Sequence, residues 1–169
     1  VLTEKSGTHV HSITSSMSGA ADYALTVGDH AMLEKLKRAL VHPEGIRGLM
    51  TSYGWVKEQV RVPNTRQGEC NQIGDLLQLR LTLAQYERPA YWYGTVEHHL
   101  RSMLLPAQIQ NPAFIREKPT ATCDADREIT RRAMGGFGFP MPAAHLEWDW
   151  SAINSLDITQ GACQAIVAV

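Results

Sequence analysis

The stretch Cys70-Asn-Gln-Ile-Gly-Asp-Leu-Leu-Gln-Leu-Arg-Leu-Thr-Leu-Ala-Gln-Tyr86 decides the fold. Ile73, Leu76, Leu77, Leu79, Leu81 and Leu83 point apolar side chains to more sides than a surface helix can hide. The pattern predicts a helix enclosed by its neighbours. Arg88-Pro89 ends it, since proline lacks the N–H that would continue the ladder.

The neighbours can be read outward from there. Val10, Ile13, Met17, Ala20, Ala21, Ala24 and Val27 recur at three- and four-residue spacing and predict a helix over Val10 to Val27 with one buried face. Gly28-Asp29 closes it and His30 opens the next element. A second helix, from about Ala31 to Val41, turns Met32, Leu33, Leu36, Ala39 and Leu40 inward and Glu34, Lys35, Lys37 and Arg38 outward. Pro43 and Gly45 stop it, which makes the pair an αα-hairpin with a tight turn. Beyond the Leu-rich helix, Tyr91 to Leu105 sets Trp92, Val96, His99, Leu100, Met103 and Leu104 on one face and ends at Pro106. His99 continues that apolar stripe and reads as a core histidine, whereas His98 reads as exposed. A final helix begins near Thr159. The fold class is all-α, built of αα-hairpins.

Two long connectors join these elements. Gly45 to Gly68 is punctuated by Gly48, Gly54 and Pro63-Asn64. Ala107 to Asn154 carries Gly135-Gly136-Phe137-Gly138-Phe139-Pro140 and Trp148-Asp149-Trp150. Irregular stretches of that length within a domain are usually functional or extended over another surface. The glycine-rich run is no phosphate loop, because no Lys-Ser or Lys-Thr follows it.

At 169 residues the chain, 1–169, is one domain or part of one. A formal net charge of -1 lacks the basic footprint of a nucleic-acid binder. No apolar run approaches the roughly 18 residues of a membrane span. Cys70, Cys123 and Cys163 form no CxxC pair, so neither a disulfide framework nor a zinc ribbon is expected. The chain begins without Met and ends inside the apolar run Ala162 to Val169 with no stop signal. It therefore reads as a piece of a longer protein, whose remainder, or a second copy, would cover open helix faces.

Chemistry concentrates where the first connector meets the Leu-rich helix. Glu58 and Glu69 are the leading carboxylates, beside Tyr53 and Trp55, whose rings suit a sugar face. Glycoside hydrolysis needs an acid for the leaving oxygen and a second group for the nucleophile. Burial against Trp55 would keep one Glu protonated. The structural alternative for Glu69 is an acid at the positive end of a helix. His9 and His11 lie two apart at a helix start, so they are expected to diverge and to make a poor metal pair. One of them could still meet a hydroxyl or carboxylate. Trp148, Trp150, Asn154 and Asp157 offer a second aromatic and polar group, or else staple the loop to the helices. No cofactor is expected. The alternative is zinc on Cys70, Cys163 and Glu69, completed by His9 or Asp157, set against cysteines that simply pack.

Several segments resemble the β-L-arabinofuranosidase-like glycosidases, glycoside hydrolase family 127 and its relatives. Gly7-Thr8-His9-Val10-His11-Ser12 and Tyr23 to Asp29 resemble that family's early hairpin. Gly68-Glu69-Cys70 leading into Ile73-Gly74-Asp75-Leu76-Leu77 resembles its Glu-Thr-Cys approach to an inner helix, and Tyr91 to Leu105 resembles the next outer helix. Asp157 to Val169 resembles the helix after the tandem-cysteine motif. The likeness implies part of an (α/α)6 toroid whose inter-helix loops build a saccharide cleft. It also implies departures. Gly68 stands where the family's zinc-ligand Glu falls, and no Cys-Cys pair accompanies Asp157 to Ala162. A zinc-thiolate nucleophile is therefore not implied.

The expected function is hydrolysis of a glycosidic bond in an oligo- or polysaccharide, with Glu58 or Glu69 as acid and His9, His11, Tyr53, Trp55, Trp148, Trp150 and Asp157 in substrate binding. A polysaccharide lyase would instead use His9, His11 or Tyr53 as base, with Arg61 or Arg66 against a uronate carboxylate. The non-catalytic reading is a helical sugar-binding or scaffold module. Against a regular solenoid, no second copy of the hairpin recurs at a period of roughly 34 residues.

Overall fold

The computed structural model describes residues 9–50, 56, 60, 70–108 and 134–135. This part is 82% helix and contains no strand, which makes it all-α. The elements are α1 (Val10–Val27), α2 (His30–Val41), a 3-10 turn (Ile46–Leu49), α3 (Cys70–Tyr86) and α4 (Pro89–His99). A π turn (Leu100–Leu104) and a 3-10 turn (Leu105–Ala107) follow α4.

The α1–α2 turn is made by two residues. Gly28 takes a left-handed conformation, φ 73°, that suits glycine. The Asp29 N–H reaches back to the Ala24 carbonyl at 2.8 Å, closing the Schellman motif. The Asp29 side chain then accepts from the Met32 N–H at 2.9 Å and caps α2. After α2 the chain folds back so closely that a Cβ on Gly45 would strike the Ala39 carbonyl, and one on Gly48 the Pro43 carbonyl.

Among the described residues, the helix α3 is the most enclosed element. From Asn71 to Ala84 every residue but Gln78 is buried. It packs against α1 on one side and α4 on another. Each fully buried leucine removes apolar surface worth about 1.5–3 kcal/mol, and Leu76, Leu77, Leu79 and Leu83 are all within 1% of complete burial. The order of cross-helix pairs fixes the relative direction. Residues 11 and 14 of α1 meet 75 of α3, and 22 meets 78 and 82. Both numbers rise together, so α1 and α3 run roughly parallel and start at the same end. Each is followed by an antiparallel partner after a two-residue turn. The result is two αα-hairpins side by side, with α1 and α3 in contact.

Three details differ from the sequence reading. Val27 and Met32 are 54% and 36% exposed rather than inward; they flank the hairpin turn, past the surface that α3 covers. The helix α4 starts at Pro89, whose missing N–H costs nothing in a first turn. Its final turn widens, with the Leu105 N–H on the Leu100 carbonyl, as Pro106 approaches and ends the regular ladder. The wider turn carries both Met103 and Leu104 into the core. Among the described residues no helix is long and apolar enough to cross a membrane.

Candidate functional site

Two groups of polar side chains lie on opposite flanks of α3. The first joins α3 to α1. Asp75 is 3% exposed in the leucine-rich helix α3, and burying a carboxylate is tolerable only when it is hydrogen-bonded. The His11 Nδ1–H donates to its Oδ2 at 2.9 Å, and the fully buried Thr14 hydroxyl donates to the same oxygen at 2.8 Å. This bond sets the tautomer of the neutral His11 ring, in which Nε2 is then the acceptor. The His11 side chain is 31% exposed, so the ring bridges the interior and the surface. One to two turns further along, the Asp22 carboxylate accepts from Gln78 Nε2 at 2.5 Å and from the Thr82 hydroxyl at 2.6 Å.

His9 does not diverge from His11. It is the N-cap of α1 in extended conformation, φ -85° and ψ 117°, so the angular spacing of residues inside a helix does not govern it. The two rings meet edge to face with centroids 5.9 Å apart, and His9 Nδ1 lies 3.2 Å from the Ser12 hydroxyl. Both histidines thus sit at the end where α1 and α3 begin. The first connector reaches this end too. Val56 is fully buried, bridges to Met50, and its carbonyl accepts from Gln72 Nε2 at 2.6 Å.

Glu58, Glu69, Tyr53, Trp55, Arg61, Arg66, Trp148, Trp150, Asp157 and Cys163 lie outside the described residues. Cys70 is the first residue of α3. Among the described residues no three His, Cys, Asp or Glu side chains converge as a metal site.

The second group joins α3 to α4 and the end of α2. Arg80 is 4% exposed. Its Nη2 contacts the Met50 sulfur at 3.7 Å, and its Nη1 has no hydrogen-bond partner among the described residues. Burial lowers the guanidinium to about 10, partly offset by nearby Tyr91, so it is still a cation at neutral pH. Beside it, His99 is buried and its Nδ1–H donates to the Thr95 carbonyl at 2.9 Å. Burial first, then the Arg80 charge, lowers His99 to about 4, so the ring is neutral at pH 7. His99 Nε2 and Trp92 Nε1, like Arg80 Nη1, are buried and unpartnered among the described residues. An uncompensated buried ion costs several kcal/mol, far beyond a neutral unpaired donor. Arg80 therefore dominates the energetics of this flank.

The sequence reading placed His99 in the core, as found, but passed over Asp75 and Arg80 as functional groups. The signal is in the sequence: in a helix expected to be enclosed all round, Asp75, Gln78, Arg80 and Thr82 each either find a partner or stand at a cost. Compared with known protein families, curated proteins and solved structures, the chain matches none of them.

Proposed function

We propose that the chain is the helical part of a carbohydrate-active protein that hydrolyses a glycosidic bond, with the saccharide at the shared start of α1 and α3. The observation that carries this reading is the His11–Asp75 pair, half in solvent at that end. An imidazole whose Nδ1–H is held by a buried carboxylate presents a fixed Nε2 acceptor, suited to a sugar hydroxyl or to a proton in transit. The parallel contact of α1 with α3, each followed by an antiparallel helix, is the arrangement that inner helices of an (α/α)6 toroid repeat. It supports that architecture and gathers two helix N-termini at one rim. Glu69 directly precedes α3 in sequence, and Val56, between Trp55 and Lys57, is anchored to the first turn of α3. In this reading Glu58 or Glu69 is the acid, and Tyr53, Trp55, Trp148, Trp150 and Asp157 complete the cleft.

The same pair favours a second reading, a lyase in which His11 removes the proton beside a uronate carboxylate. Incubation with a panel of neutral and uronate-containing oligosaccharides separates the two. Hydrolysis yields new reducing ends alone, whereas elimination adds an ultraviolet-absorbing unsaturated end. Either activity should fall at least about 100-fold in His11→Ala, the scale expected for a positioned acid–base group. Glycan turnover or binding unchanged in His11→Ala and Asp75→Asn would remove this end of the molecule from consideration.

A further inference from the structure

A cavity of about 160 Å³ lies between α2, α3 and α4, lined by Arg80, Trp92, His99, Met50, Arg47 and Tyr91 among others. It is separate from the His11–Asp75 end and does not depend on the saccharide reading. We propose that this cavity binds the carboxylate group of a small-molecule ligand, held by the Arg80 guanidinium and the Trp92 indole N–H.

Three observations lead there. First, Arg80 lines the cavity, is 4% exposed, and its Nη1 has no partner among the described residues. Second, Trp92, also a lining residue, is 2% exposed and its Nε1–H is likewise unpartnered among the described residues. Two buried donors on one small cavity call for an acceptor with two oxygens, and a planar guanidinium matches a carboxylate fork in geometry. Third, among the described residues no acidic side chain lines the cavity, while Arg47, exposed at its edge, adds a second positive charge. The volume falls below the roughly 300–1,000 Å³ of pockets that enclose whole drug-sized ligands. It suits a carboxylate head whose remainder extends past the exposed Tyr91 and Arg47. His99 fits the assignment: its Nδ1–H is committed to Thr95, so its Nε2 acceptor is available to a hydroxyl or amide beside the carboxylate.

Sodium acetate is the probe, with sodium chloride at equal ionic strength as the control. The 15N-labelled chain is titrated while the Trp92 indole N–H resonance is followed, assigned by its loss in Trp92→Phe. A saturable acetate shift that chloride does not reproduce is expected. It should weaken about 10- to 100-fold in Arg80→Met, the range for a hydrogen bond to a charged group. For Trp92→Phe the readout is the acetate dependence of Tm, and a loss of roughly 2- to 10-fold in affinity is expected. Chloride acting as well as acetate, or acetate binding unchanged in Arg80→Met, would overturn the proposal. So would the absence of any acetate shift together with a sharp loss of stability in Arg80→Met, because an acid from the chain itself would then occupy the guanidinium.

Discussion

The two flanks of α3 solve the same problem in opposite ways. Toward α1, the charged side chains meet partners of complementary chemistry, Asp75 with His11 and Thr14, and Asp22 with Gln78 and Thr82. The polar atoms there without a partner among the described residues, Ser18 Oγ and Gln72 Oε1, are neutral. Toward α4, Arg80, Trp92 and His99 are buried just as deeply, yet each has a polar atom without a partner among the described residues. A folding requirement explains the first flank, since satisfied polar pairs fix register between parallel helices. It does not explain the second, where a buried cation works against stability. Groups that cost stability in the folded protein are where function is to be sought.

The largest effect that would break this comparison is on the α1 flank. Asp75→Ala removes the charged acceptor of two hydrogen bonds, from His11 and from Thr14. It leaves the buried Thr14 hydroxyl only the longer contact to the His11 carbonyl at 3.1 Å, and should cost about 3 kcal/mol. Urea unfolding followed by helical circular dichroism measures it. A loss under 1 kcal/mol would mean that the network is incidental.

A change of similar size is expected from pH on the other flank. Unfolded His99 titrates near 6.5, while in the fold it is lowered to about 4 by burial and by Arg80. The unfolded chain therefore binds the proton first. The contribution of His99 is fully present above about pH 6.5 and is lost as pH falls toward 4, by about 3 kcal/mol in all. Stability curves of the wild type and His99→Gln at pH 7 and pH 4.5 should converge at the lower pH. Parallel curves would show that His99 does not titrate as its burial requires.

The smallest effect sharpens the contrast through a matched pair. The Thr82 hydroxyl donates to Asp22 on α1 at 2.6 Å, with the Gln78 carbonyl of its own helix further off at 3.1 Å, whereas among the described residues the Thr95 hydroxyl donates to the Trp92 carbonyl within α4. Thr82→Val should cost about 1 kcal/mol, and Thr95→Val less than about 0.5 kcal/mol, because only the first breaks a bond between helices. Equal values from thermal unfolding would argue that inter-helix pairing matters no more than local bonding.

Much of this scaffold was legible in the chain. Gly28-Asp29 carries its own turn chemistry, so the end of α1 and the start of α2 follow from two residues. The leucines of α3 announce burial on all sides, and His99 at stripe spacing belongs to the core. Other features depend on tertiary partners. Leu77, Leu79, Leu81 and Leu83 alternate with Gln78, Arg80 and Thr82, and only packing shows that Arg80 and Thr82 are buried along with the leucines. The meeting of His9 with His11 follows from an extended N-cap, which residue spacing alone does not reveal. The partnership of Asp75 with His11 spans 64 residues, beyond any local pattern. The aromatic and acidic residues of the connectors, Glu58, Glu69, Trp55, Trp148 and Trp150 among them, lie outside the described residues, and their roles are those of the proposal.

The central claim is that α3 carries a structural polar seam on one flank and a ligand-ready cation on the other. Urea unfolding of Arg80→Met in acetate-free buffer at pH 7 tests it most directly. A buried cation without a partner should be replaceable by an apolar side chain of similar length without loss, so the variant is predicted to be as stable as the wild type or up to about 2 kcal/mol more stable. A loss of 2 kcal/mol or more would contradict the account, because Arg80 would then be one more satisfied member of the fold.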